Sequence, residues 1–114
     1  MGKKVQFSEK DYDSQVLKCP RCGYVYTHQE VYEIWNRKED SDEGMHCLVN
    51  GTEVKIDSDA STGNPSSRRQ AISISFWCES CGVRSILDIV QHKGLTLVEW
   101  RDEGSNEETE ETNG

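Results

Sequence analysis

Four cysteines stand in two matched motifs, Cys19-Pro20-Arg21-Cys22-Gly23 and Cys78-Glu79-Ser80-Cys81-Gly82, with 55 residues between Cys22 and Cys78. Two intervening residues let the chain curl so that both sulfurs of a pair face one point, and sulfurs about 3.8 Å apart fit a tetrahedral ion with bonds of ~2.3 Å. Each motif supplies half of a tetrahedron. Glycine after the second cysteine suits a turn that places this position at positive φ and leaves backbone N–H groups free to point at the thiolates. Pro20 pre-sets φ for the first turn. Four unrelated buried thiols would not account for the repeated glycine. A redox dithiol also uses Cys-x-x-Cys, but that chemistry expects one motif beside a βαβ unit. The motifs therefore read as one Zn²⁺ site made by Cys19, Cys22, Cys78 and Cys81. Four thiolates fill the coordination sphere, whereas a catalytic zinc keeps a position for water, so the site reads as structural. Thiolates also suit iron, and spacing alone does not separate the two metals.

Other residues with chemical potential are less organised. Cys47, beside His46, has no partner cysteine left and reads as a buried or half-buried thiol. His28, His46 and His92 show no ligand spacing and read as surface or hydrogen-bonding residues. Arg68 and Arg69 are positioned to meet phosphate, with Arg21 and Arg84 beside the two motifs extending that surface. Trp35, Trp77 and Trp100, with Tyr24, Tyr26 and Tyr32, offer rings for base stacking, but in a sheet with few aliphatics they are better spent on a core. Asp40, Asp42 and Glu43 lack the loop length and downstream Glu of an EF-hand and read as a solvated loop. No Ser-His-Asp order, phosphate-binding glycine loop or paired carboxylate stands out, so the chain reads as a non-enzyme.

The elements that must carry the cysteines read as strands. Ile72, Ile74 and Phe76 alternate with Ser73 and Ser75 over residues 71–77, the pattern of a half-buried strand with its apolar face inward. Asn50-Gly51 marks a hairpin between strands near 45–49 and 52–57, and Lys93-Gly94 marks another between SILDIVQH and LTLVEW. Residues 28–37 fit helical spacing in part, with Thr27 and Glu30 resembling a capping box, but their β-branched and aromatic content favours a strand. Residues 58–70 read as a mobile loop. No internal repeat is visible beyond the paired motifs. The expected fold is all-β, a small antiparallel sheet of about five to six strands around the cysteine pairs.

Composition explains why such a fold would need a metal. Only 33% of the 114 residues are hydrophobic, and the formal charge is −8. Much of that acidity lies in residues 102–114, which hold six acids and no base; the rest sums to −2. The expected organisation is a loose segment over 1–14, a folded unit over 15–101 and a disordered acidic tail over 102–114. There is no apolar run of the ~18 residues a membrane span needs and no secretory signal pattern. Five cysteines, an odd number, argue against a disulfide framework, so the expectation is a cytoplasmic protein with reduced thiols.

The two Cys-x-x-Cys-Gly knuckles and their flanking strands resemble the zinc ribbon superfamily, in which each of two knuckles sits on a hairpin and both grip one ion. Zinc ribbons usually have a shorter spacer, so the resemblance implies an elaborated ribbon with strands inserted between the knuckles. The stretches GNPSSRR, FWCESCG and QHKGLTLVEW also resemble small zinc-ribbon proteins of bacteria and their phages. The resemblance implies a fold and a metal but no activity. The expected role is a module that binds a protein or nucleoprotein, with direct nucleic-acid contact through Arg68 and Arg69 as a variant of it. An alternative is an acidic decoy whose tail occupies a basic channel on a nucleic-acid-binding protein. The least favoured alternative is a redox or hydrolytic enzyme.

Overall fold

The computed structural model of the protein describes residues 4–7 and 15–102. Its elements are six strands: β1 (Thr27–Arg37), β2 (Glu43–Asn50), β3 (Glu53–Asp59), β4 (Ala71–Cys78), β5 (Arg84–His92) and β6 (Leu95–Asp102). They form one antiparallel sheet in the order β3-β2-β1-β4-β5-β6. There is no helix among the described residues, and none long and apolar enough to cross a membrane. The expected all-β class and strand number are thus observed. Residues 28–37 lie in a strand because β1 is central, paired on both sides, where β-branched and aromatic side chains pack well. Residues 8–14 and 103–114 lie outside the described residues, and with them most of the proposed loose N-terminus and acidic tail. Residues 4–7 do take part in the fold: Phe7 bridges Leu17, and Val5 packs on the core.

Both hairpin signals mark real turns. Lys93 and Gly94 both have positive φ, 49° and 82°, as a two-residue turn between His92 and Leu95 requires. The other turn lies one residue later than Asn50-Gly51. Asn50 pairs with Glu53, so Gly51, at φ 64°, takes the first central position and Thr52 the second.

The sheet buries different things on its two faces. On one, Trp35, Ala71 and Val90 are cross-strand neighbours in one row and form a core cluster. On the other, Phe76, Leu87 and Trp100 cluster beneath Val5 and Leu17. In β4 the expected apolar face is buried at Phe76 and packed at Ile74, but the opposite face is buried as well. Ser73 and Ser75 are buried and Ile72 is exposed. The serines succeed inside because their hydroxyls are satisfied: Ser73 Oγ donates to Asp88 Oδ1 at 2.6 Å, and Ser75 Oγ accepts the Val31 N–H at 3.0 Å. Arg101 completes the cluster with Nε donating to Asp88 Oδ2 at 2.8 Å.

Residues 60–70 form a packed cover over Trp35, a second correction. Ala60 and Ser66 are buried. Polar side chains serve as internal struts: Asp59 Oδ1 accepts the N–H groups of Ser61 and Thr62, and Asn64 Nδ2 donates to the carbonyls of Ala60 and Arg69. Arg37, buried at the end of β1, donates to the carbonyls of Ser41, Ser66 and Arg69. A Gly-, Ser- and Asn-rich stretch can thus be a fixed lid when its own side chains supply the hydrogen bonds.

On the face that bears Trp35, His46 on β2 joins three strands. Its Nε2 meets Glu33 on β1 at 2.6 Å and its Nδ1 meets Asp57 on β3 at 3.1 Å, while its ring stacks on Trp35. Desolvation lowers the imidazole pKa, but the two carboxylates outweigh it and raise the pKa above 6.5. Because the folded value exceeds the unfolded one, this stabilisation is fully present below about pH 6.5 and is lost as pH rises through the folded pKa. Urea unfolding of the metal-saturated protein should therefore show a decline in stability across neutral pH that is shallower in His46→Gln. Equal slopes would remove His46 as its source.

Candidate metal centre

The cysteine motifs converge because of how β1, β4 and β5 are paired. Thr27, which opens β1, lies opposite Cys78, which closes β4, and Cys81 precedes the start of β5 by three residues. The Tyr26 carbonyl accepts the Glu79 N–H at 3.1 Å, carrying the β1–β4 ladder into the second knuckle. The knuckles have the same local form: the Gly23 N–H donates to the Cys19 carbonyl, and the Gly82 N–H to the Cys78 carbonyl, each at 2.9 Å. Gly23 and Gly82 have φ of 81° and 71°, where a side chain would be strained.

Cys19, Cys22, Cys78 and Cys81 bring four sulfurs within 4.8 Å of one another. The Cys19–Cys81 sulfurs are 3.8 Å apart and the Cys22–Cys78 sulfurs 3.6 Å. Both distances match the edge of a tetrahedron around an ion held by bonds of ~2.3 Å. The first cysteine of each motif is buried and the second exposed. Backbone donors are aimed at the sulfurs: the Arg21 N–H at Cys19, 3.3 Å away, those of Cys81 and Ser80 at Cys78, and that of Val83 at Cys81.

The ionisation of this cluster favours a cation. Burial opposes a thiolate at Cys78, yet the N–H groups of Cys81 and Ser80 and the Cys22 thiol outweigh it and bring its pKa down to about 7. At Cys81 the Val83 N–H favours the thiolate, but desolvation and the crowding of Cys78, Cys19 and Cys22 push the pKa up to about 11. Four sulfurs this close ionise together only when a positive charge lies between them. The donor set and spacing therefore fit a tetrahedral metal ion, and the four residues could hold one.

The other sequence candidates do not join this cluster. Arg68 pairs with Glu39 at 2.8 Å and Asp40 at 2.7 Å, and Arg69 with Glu39 at 3.0 Å, all at the surface. Arg84 pairs with Glu30 at 2.8 Å. Asp40 is the arginine partner at a turn with φ 63°. Cys47 is half-buried on the sheet and stands apart from the four sulfurs. The aromatic residues divide: Trp35 and Trp100 are core, whereas Trp77 is exposed and stacks on His28 with ring centroids 4.4 Å apart. His28 in turn meets Glu79 at 2.6 Å.

Two features were missed from sequence. One is the His46–Glu33–Asp57 clamp, in which Glu33 and Asp57 lie 13 and 11 residues from His46 and meet it only through strand register. The other is an aromatic surface beside the metal centre, whose rings were named from sequence but assigned to the core. Tyr24 and Tyr26 are exposed and pack edge to face at 5.5 Å, on the first-knuckle exit that leads to His28 of β1, whose ring stacks on Trp77 of β4. Alternating aromatics directly after a Cys-x-x-Cys-Gly turn were the available signal. Comparison with protein families, curated proteins and solved structures finds no match to this chain.

Proposed function

We propose that the four cysteines hold one structural Zn²⁺ and that the protein is a zinc-ribbon-like docking module. Its metal end, bearing Tyr24, Tyr26 and the Trp77–His28 stack, meets a protein or the protein part of a nucleoprotein. The observation that carries this reading is the exposure of Tyr24, Tyr26 and Trp77 on the chain and strand ends next to the four cysteines. Solvent-facing aromatics on a rigid support lose little entropy on binding and are the residues most enriched in interface hot spots. Zinc is the ion that a closed set of four thiolates from paired knuckles suits best, and a filled sphere gives it a positioning task. Protein is favoured over nucleic acid because Arg68, Arg69 and Arg84 are already neutralised by Glu39, Asp40 and Glu30, and a nucleic-acid surface needs unspent positive charge.

The test is affinity capture from the native host with full-length protein, a Tyr24→Ala/Tyr26→Ala/Trp77→Ala variant, and a variant lacking residues 103–114. The aromatic substitutions should abolish recovery of the partner, and the tail deletion should leave it unchanged. Undiminished capture by the aromatic variant would sink the assignment. Loss of the partner when the tail is removed, together with loss of capture by the full-length protein at high salt, would favour the decoy alternative.

A further inference from the structure

We infer that the sheet face opposite the Trp35 lid is the interface of a two-fold symmetric dimer, with a second copy of this chain as its occupant. Strand register builds two rows of apolar side chains across the entire sheet. Ile56, Cys47, Ile34, Ile72, Ile89 and Val98 make one, reading from β3 to β6. Val54, Val49, Tyr32, Ile74, Leu87 and Trp100 make the next. Neither row contains a charged side chain. On the opposite face, by contrast, lie Glu33, His46, Asp57, Asp88 and Arg101.

Among the described residues, this face is covered at only one corner. Val5 and Leu17 pack against Phe76, Leu87 and Trp100, over the β4–β6 half. The β1–β3 half is open, and Ile56 and Val54 are 66% and 57% exposed. Ile72 and Val98 are exposed as well. An apolar sheet face is normally buried against a second layer. The rest of this sequence has little to make one from: residues 1–3, 8–14 and 103–114 contain only Met1 and Tyr12 from the hydrophobic set.

A second copy fits both the size and the shape of the open face. With strands about 4.8 Å apart and same-face residues about 7 Å apart along each, the rows and their margins span roughly 30 Å by 20 Å, about 600 Å², made up of the open β1–β3 half and, over the β4–β6 half, the outer side of the N-terminal segment that already covers Leu87 and Trp100. Specific interfaces bury about 600–1,000 Å² per partner. An isologous contact sets a patch against itself, so any charge on it meets or neighbours its own copy, and an uncharged patch escapes that cost. A two-fold axis parallel to the strands along the β1–β4 seam would lay β1 over β4 of the second copy, β2 over β5 and β3 over β6. Ile34 then meets Ile72 at the centre. The same operation brings the N-terminal segment of each copy, with its exposed Phe7, over the open Val49–Val54 corner of the other. The half that a chain leaves bare is the half its symmetry mate can cover.

Sedimentation equilibrium of the full-length, zinc-loaded protein tests this. At about 100 μM the wild type should show a mass of about 26 kDa, twice the 13.0 kDa of the chain. Val54→Lys/Ile56→Lys should sediment at about 13 kDa, with an unchanged circular dichroism spectrum. Lys55→Ser, on the same strand but the other face, should remain dimeric. A second readout needs no variant: the alkylation rate of Cys47, followed on its own peptide, should fall about tenfold as the wild type is concentrated through the transition. A wild-type mass of 13 kDa at every concentration, dimerisation undiminished in the double variant, or a Cys47 rate independent of concentration would each overturn the proposal.

Discussion

Replacing Cys19 or Cys81 by serine is expected to release the metal and, with it, most of the folded signal in circular dichroism. Zinc bound by four thiolates contributes on the order of 10 kcal/mol to folding in small metal-dependent units, against a net domain stability of roughly 5–15 kcal/mol. The fold has little reserve to absorb that loss. Its two apolar clusters are small, and they lie on opposite faces of one sheet rather than merging into a single core. A metal held by the four cysteines would join the entrance to β1 with the β4–β5 turn, adding a cross-link to the ladder that runs through Tyr26 and Glu79. Chelator titration of the wild type should reproduce the loss, and zinc should reverse it. Acidification should weaken binding too, because all four sulfurs must be deprotonated. Elemental analysis of the purified protein checks the stoichiometry of one ion per chain. A Cys19→Ser or Cys81→Ser protein that stays folded and metal-loaded would overturn the ligand assignment.

Trp35→Ala should be the most damaging substitution away from the metal, at a cost of about 3–5 kcal/mol. The indole is 1% exposed, packs with Ala71 and Val90, and has the His46 ring stacked on it. Its Nε1 donates to the Thr62 carbonyl at 3.0 Å, fixing the 60–70 lid to the sheet. Truncation would leave a cavity, an unpaired carbonyl and a lid without its central contact. Trp77 provides the comparison within the same residue type. It is 37% exposed and its described ring contact is to His28, so Trp77→Ala should cost clearly less, about 1 kcal/mol. Urea denaturation of both variants decides the matter, and equal costs would contradict the placement of the two rings.

The same pair shows how far sequence could be read. Strand content was legible because alternation and turn dipeptides act over a few residues: Lys93-Gly94 marks its own hairpin, and Gly51 marks its own to within one position. That both faces of β4 are buried was not legible. Alternating isoleucine and serine predicts the isoleucine face inward, and Ser73 and Ser75 are inside only because Asp88, Arg101 and the Val31 N–H, all distant in sequence, satisfy them. Likewise Arg68 and Arg69 read as free cations until Glu39 and Asp40 are brought beside them.

Sequence by itself determined the all-β class and the four metal-site candidates, because a Cys-x-x-Cys-Gly knuckle is a local object whose geometry is written in five consecutive residues. That the two knuckles meet, which aromatic rings are buried, how residues 60–70 become a lid and which sheet face is left bare were decided only by tertiary structure. Each of these depends on strand order and register, in which pairing β1 with β4 sets Thr27 opposite Cys78 and aligns Ile34 with Ile72. A shift of one residue would send every side chain of a strand to the other face.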